Sequence, residues 1–197
     1  MPIYRRIHYN APVILTFTLL SMAALLAGVF TDGASDALLF SVYRAPLSDA
    51  FTYLRAFAHI LGHADIEHYV GNFMIILLIG PMLEEKYGSW RILVMLLITA
   101  VTTGILYMAF FPGVSLRGAS GAAFTLIVLS SFVNVKAGRL PLTFVMIFAL
   151  YVGRSFFASS ENVAVAAHVV GGLCGAVFGF LINRAEKAGK IEQTEVM

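Results

Sequence analysis

Three side chains capable of acid–base or nucleophilic chemistry lie inside strongly apolar stretches of this chain: His68, Ser120 and His168. Ionisable groups are costly inside a membrane and usually serve a function there. A serine hydroxyl becomes a good nucleophile when a nearby histidine accepts its proton. Asn72 follows His68 by four residues, so on a helix the two share one face and can donate hydrogen bonds to an oxyanion. The residue types indicate attack on a carbonyl, with Ser120 as nucleophile and His168 as base.

These three residues share a common depth. Each is followed, 16 positions later, by a charged residue that would lie at the cytoplasmic boundary. The pairs are His68 with Glu84, Ser120 with Lys136, and His168 with Arg184. At a helical rise of about 1.5 Å per residue, each would lie about 24 Å from that boundary, in a hydrocarbon core about 30 Å thick. The spacing predicts one layer of reactive groups, close to the outer face of the membrane.

The composition shows that membrane helices must hold these residues. Of the 197 residues, 59% are hydrophobic and only 12% are charged, about half the share in soluble domains. The 13 basic and 11 acidic residues give a net charge of +2, which does not favour a nucleic-acid groove. Cys174 is the single cysteine, so an internal disulfide framework or multi-cysteine metal site is excluded. We predict an all-α integral membrane protein with no nucleic-acid partner.

Six stretches are apolar enough to cross a bilayer, which takes about 20 residues each. They are residues 12–30, 66–83, 92–111, 118–134, 141–158 and 163–183. With six spans, nine basic residues lie on the side of the membrane that holds both termini, and four lie on the other side. Because the cytoplasmic side carries the excess of basic residues, both termini are predicted to be cytoplasmic. We predict a cytoplasmic segment 1–11, a six-transmembrane-helix bundle over 12–183 and a cytoplasmic tail 184–197. The first span also fits a secretory signal peptide, although its length favours a signal anchor.

Small residues indicate which helices pack closely. The sixth span carries Gly171, Gly175 and Gly179 at four-residue spacing, and Ser120 lies among small neighbours in the fourth. Such stripes let helices approach closely, which would bring Ser120 near His168. Taken singly, the serine fits a packing residue, the histidine a structural hydrogen-bonder and the stripe an ordinary helix contact. Their conjunction at one depth favours a catalytic site.

Four motifs follow one another along residues 50–183. They are His59-x3-His63-x4-His68-x3-Asn72, Gly80-x3-Glu84-x3-Gly88, Gly118-Ala119-Ser120-Gly121 and Ala167-His168-x2-Gly171-x3-Gly175. Each motif alone is weak. In this order and on these spans, the set resembles the rhomboid family of intramembrane serine proteases.

The resemblance implies a six-helix rhomboid-like core with a Ser120–His168 catalytic dyad and no metal or other cofactor. It also implies an oxyanion hole formed by the Ser120 backbone N–H together with His68 and Asn72. Its substrates would be single-span membrane proteins, cleaved in or near their transmembrane segments close to the outer face. The compact form resembles members of the bacterial inner membrane, and the oligomeric state is not predicted.

The resemblance assigns supporting residues as well. Glu84 would be structural, at the cytoplasmic end of the second helix, and Phe124 would stack on the base where the family often has a tyrosine. The connection 31–65 would lie partly in the membrane, and Tyr43-Arg44 would match a Trp-Arg pair that is frequent there. The remaining supporting residues would be Gly118, Gly121, Gly171 and Gly175.

Other functions are weighed against the same residues. A zinc protease would need His-Glu-x-x-His, which is absent. An aspartyl protease would need two aspartates inside the spans, whereas the aspartates here fall outside the apolar stretches or at their edges. His59, His63 and His68 have no carboxylate reliably placed beside them, which disfavours a metal site. His59 and His63 would instead be loop-packing histidines at the membrane edge. A catalytically inactive relative that binds membrane clients would be expected to lack the serine or the histidine. A transporter or channel subunit would show paired charges within spans, which are not evident.

Overall fold

The structure, a computed structural model, describes residues 8–132 and 162–195, with isolated positions 142, 145, 146, 149, 150 and 153 between them. These parts are helical apart from short connections. The helices are α1 (Pro12–Phe30), α2 (Ala50–Ala58), α3 (Ile66–Tyr87), α4 (Ser89–Phe110), α5 (Ser120–Phe132) and α6 (Asn162–Glu195). A short π-helical turn, Asp36–Phe40, lies between α1 and α2.

Among the described residues, four helical segments are long and apolar enough to cross a membrane: α1, α3, α4 and Val165–Ile182 of α6. The first predicted span coincides with α1, and the second, third and sixth lie mainly within α3, α4 and α6. The predicted fourth span, 118–134, is the 13-residue helix α5, which begins at Ser120 itself. The predicted fifth span, 141–158, lies outside the continuously described residues. The prediction of an all-α membrane protein is confirmed.

Helix α5 forms the centre of the described bundle. Every residue from Gly121 to Leu129 is buried, whereas the outer helices expose large apolar side chains such as Phe30, Leu78 and Phe110. This arrangement suits a lipid environment, because apolar side chains can face acyl chains without cost. Among the buried polar residues are Asn72 of α3, Thr125 of α5 and His168 of α6.

Glycines bring α5 and α6 into backbone contact. A Cβ atom on Gly171 would clash with the carbonyl oxygen of Gly121, and one on Gly175 would clash with that of Thr125. The Thr125 hydroxyl donates a hydrogen bond to the Gly171 carbonyl at 2.8 Å. The close packing predicted for the fourth and sixth spans is confirmed, and no larger residue would fit at Gly171.

Glu84 joins the last turn of α3 to the first turn of α1. The backbone N–H groups of Val13 and Ile14 donate to its two carboxylate oxygens, each at 2.9 Å. The first N–H groups of a helix have no acceptor within the helix. Pro12, the first residue of α1, has no backbone N–H group, so Val13 and Ile14 carry the first donors. A buried carboxylate at this end also suits the helix dipole. The contact fixes α1 and α3 in opposite directions, with the start of one beside the end of the other.

We therefore expect Glu84→Ala to lower the free energy of unfolding by about 3 kcal/mol, because two buried N–H donors lose a charged acceptor. Glu84→Gln should cost less, since its carbonyl oxygen still accepts one bond. Glu85→Ala is the matched control, because Glu85 is exposed on the same turn. Reversible unfolding in mixed micelles measures all three, and equal stabilities for Glu84→Ala and Glu85→Ala would contradict the cap.

Candidate active site

The segment before α5 brings Ser120 to the start of a helix. Gly118 has φ of +136°, a conformation that favours glycine, and it turns the chain into the helix. A Cβ atom on Gly118 would lie 2.7 Å from Cε1 of His68, so the imidazole packs directly against the backbone here. His68 and the Ser120 segment are thus neighbours, although they lie on α3 and α5.

Helix α3 presents His68 and Asn72 on one face, as their spacing predicts. Asp65 caps this helix by accepting a hydrogen bond from the His68 backbone N–H at 2.7 Å. The His68 side chain is half-buried, whereas Asn72 is only 3% exposed. The Asn72 amide nitrogen lies 3.2 Å from Nε2 of His63, which fixes the orientation of the amide.

His63, which the sequence interpretation made a loop-packing histidine, is a hydrogen-bonding hub. Its Nδ1 lies 3.1 Å from the Leu61 carbonyl oxygen, so Nδ1 carries the proton. Its Nε2 then accepts from the Ala119 backbone N–H at 3.3 Å and from the Asn72 amide. Burial, with the nearby His68, lowers the pKa of His63 to about 4, which keeps the ring neutral at pH 7. Because both nitrogens are engaged, neither is free for a metal.

His168 is buried in α6, with 7% of its surface exposed. The Phe124 ring stacks on it, with centroids 5.2 Å apart and an interplanar angle of 18°. Phe124 follows Ser120 by one helical turn, so the two residues share a face of α5. A Cβ atom on Gly121 would also lie 3.4 Å from the carbonyl oxygen of Ala167. These contacts pack the turn of α5 that begins with Ser120 against the turn of α6 that contains His168.

The connection between α1 and α3 holds a buried arginine, Arg55, to which the sequence interpretation gave no role in the site. Arg55, on α2, is 2% exposed; it donates to Asp49 at 2.7 Å, and its guanidinium lies 4.5 Å from the Tyr43 ring centroid. The hydrogen bond from Arg55 lowers the pKa of Asp49. Arg44, which the sequence analysis matched to the arginine of the Trp-Arg pair, donates to backbone carbonyl groups at the end of α4. The sequence did contain a signal for Arg55: it is a charged residue within the otherwise apolar helix α2, where a cation needs a partner.

The family model of the rhomboid domain matches residues 50–185, a range that contains His68, Asn72, Ser120 and His168. The chain belongs to the rhomboid family. It is similar to Rhomboid-related protein 1 of Caenorhabditis elegans, with 29% identity over 133 residues, which are 61% of this chain and 37% of that protein. It is also similar to Rhomboid-related protein 2 of Mus musculus, with 29% identity over 145 residues, 65% of this chain and 47% of that protein.

A bacterial relative covers more of both chains. Rhomboid protease GlpG of Haemophilus influenzae is 22% identical over 163 residues, which are 80% of this chain and 83% of that protein. The chain spans less than half the length of the two animal relatives. Family membership and the apolar helices show an integral membrane protein of a family that includes serine proteases. The relatives come from animals as well as from bacteria.

The contact between Gly118 and His68 predicts a specific effect on stability. Gly118→Ala adds a Cβ atom to a residue in a glycine-only conformation, and that atom would clash with the His68 imidazole. We therefore expect the free energy of unfolding to fall by about 3 kcal/mol. Gly113→Ala is the matched control: its φ is +82° but a Cβ atom there meets nothing within 4 Å. It should lose only about 1 kcal/mol from backbone strain. Unfolding measurements on the purified variants check the difference, and equal losses would show that His68 does not pack there.

Proposed function

We propose that this protein is an intramembrane serine endopeptidase that hydrolyses peptide bonds in or near transmembrane segments of membrane-protein substrates. Ser120 is the nucleophile and His168 the general base and then acid. The observation that carries the proposal is the packing of the Ser120 turn of α5 against the His168 turn of α6, with Phe124 stacked on the imidazole. Membership of the rhomboid family supports the same assignment.

The reaction divides into two proton-coupled steps. As the Ser120 oxygen attacks the substrate carbonyl carbon, its proton passes to His168, which then protonates the leaving amine. Water next attacks the acyl-enzyme ester while His168 accepts a proton from it. His168 then returns that proton to the leaving Ser120 oxygen, which releases the carboxylic acid product and restores the serine hydroxyl. The stacked Phe124 ring leaves His168 little freedom to rotate, which favours a fixed direction of proton transfer.

The oxyanion would be stabilised by three donors. The Ser120 backbone N–H belongs to the first turn of α5, where N–H groups have no acceptor within the helix and the dipole favours negative charge. His68 packs against Gly118, which is two residues before Ser120, and Asn72 lies one helical turn after His68 on α3. His63 supports this arrangement by holding the Asn72 amide and the Ala119 N–H on the same ring nitrogen.

The proposed topology has six transmembrane helices over 12–183, the fifth at 141–158, with 1–11 and 184–197 in the cytoplasm. The Glu84 contact supports opposite directions for α1 and α3, as alternate crossing requires. The reactive layer then lies near the outer face, where water reaches it through a short opening. The bacterial inner membrane is the proposed location, and the lipid bilayer is the solvent of both enzyme and substrate.

A substrate helix hides its carbonyl groups in its own hydrogen bonds, so it must unwind locally before attack. Glycine or proline near the cleavage site lowers the cost of unwinding, because both residues weaken helices. Substrates are therefore proposed to be single-span proteins with such residues near the outer end of the span.

We expect Ser120→Ala and His168→Ala each to abolish cleavage of a single-span substrate in liposomes while the protein stays folded. Exposed Ser115 and His8 provide matched controls, and Ser115→Ala and His8→Ala should cleave at the wild-type rate. Asn72→Ala should retain partial activity, because two other donors remain. Gel analysis of the products measures each rate.

Two other results would change the assignment. Equal cleavage by the wild type and Ser120→Ala would contradict the dyad. Failure of both to cleave several substrates with glycine or proline in the span would favour a client-binding, catalytically inactive relative.

A further inference from the structure

The four residues before Ser120 are all held by one region of the chain. Each makes a hydrogen bond to a residue between positions 36 and 63, in the connection from α1 to α3. The pairs are Leu116 with Val42, Arg117 with Asp36, Gly118 with His59, and Ala119 with His63. Three of these contacts use backbone groups of residues 116–119, which any residue can supply. The contact of Arg117 with Asp36 is an ion pair between side chains, and therefore depends on the sequence.

The carboxylate of Asp36 is built into the fold. It lies in the π-helical turn, is only 7% exposed, and packs so closely on α1 that a Cβ atom on Gly28 would lie 2.7 Å from its Oδ2. The guanidinium of Arg117 donates to Oδ2 at 2.7 Å, while Oδ1 has no hydrogen-bond partner within the described residues. Arg117 is thus the cation that compensates this buried charge, and removing it would leave the carboxylate unpaired.

The ion pair lies next to the candidate oxyanion hole. Arg117 immediately precedes Gly118, whose backbone packs on His68, and it is three residues before Ser120. Its positive charge is also close enough to His63 to contribute, after burial and His68, to the lowered pKa of that ring. A shift of Arg117 would therefore also move Gly118 and Ala119, whose N–H groups bind the His59 carbonyl and the His63 ring.

We propose that Asp36 and Arg117 are a positioning pair, which fixes the segment 116–119 so that the Ser120 backbone N–H and hydroxyl face the substrate carbonyl. The inference rests on the proposed function for its catalytic part. Neither residue reacts with the substrate. The pair acts through the backbone, by tying the segment before the nucleophile to the π-helical turn after α1.

The test is a double-mutant cycle of Asp36→Asn, Arg117→Gln and the double variant, read by kcat and KM for a single-span substrate in liposomes. Each single variant should lose about tenfold or more in kcat with little change in KM, because geometry rather than binding is disturbed. The double variant should lose no more than the worse single one, since the two residues act as one unit. Arg117→Lys, which keeps the charge, should recover most of the rate.

Amide hydrogen exchange gives a second readout that does not need activity. Exchange of the Gly118 and Ala119 N–H groups should become about tenfold faster in Asp36→Asn and in Arg117→Gln, with exchange in α5 itself unchanged. Asp32→Asn is the matched control: Asp32 is exposed in the same connection, and asparagine tolerates its φ of 52°. It should change neither kcat nor exchange.

The outcomes separate the two proposals. Unchanged exchange at Gly118 and Ala119 in both single variants overturns the positioning pair, whether or not the protein cleaves. Additive losses of kcat, or a general loss of stability without faster local exchange, also overturn it. A wild-type protein that cleaves no substrate, together with faster local exchange in the variants, contradicts the proposed function and retains the positioning role of the pair.

Discussion

The backbone contact between α5 and α6 at Gly121 and Gly171 is the constraint on which the rest of the described structure depends. In lipid, helices gain little from burying apolar side chains against one another, so close van der Waals contact and hydrogen bonds must hold them together. The absence of side chains at these two positions brings the helix axes close enough for Phe124 to stack on His168. The hydrogen bond from Thr125 to the Gly171 carbonyl then adds a polar contact at the same level.

A second constraint follows from the cost of unpaired polar groups inside a membrane. Several charged and polar side chains of the connection between α1 and α3, and of α3 itself, therefore bind groups on other elements. Glu84 caps α1, Arg44 binds the end of α4, and His63 joins Asn72 to the segment before Ser120. The polar groups therefore fix the relative positions of the helices as well as lining a site.

Much of this arrangement could be predicted from local sequence patterns. Hydropathy gave the exact bounds of α1, the spacing of His68 and Asn72 gave a shared helix face, and the glycine stripe gave the contact of α6 with α5. Each of these signals lies within one helix, where the period of 3.6 residues relates sequence directly to position.

The contacts that the sequence did not reveal join residues far apart in the chain. Asp36 and Arg117 are 81 positions apart, and Ala119 and His63 are 56 apart. No periodicity relates such residues, because their approach depends on how the connection folds back over the helices. Arg44 and Arg55 illustrate the same point: both lie in the connection, and only the tertiary fold makes Arg55 the buried one.

The central claim is that His168 activates Ser120 for attack on a carbonyl. The most direct test is reaction of the purified protein in liposomes with a fluorophosphonate, which modifies activated serine hydroxyls, followed by mass spectrometry of the labelled peptide. The account predicts an adduct on Ser120 in the wild type and none in a folded His168→Ala variant. An adduct on a different serine, or equal labelling of Ser120 in both proteins, would contradict it.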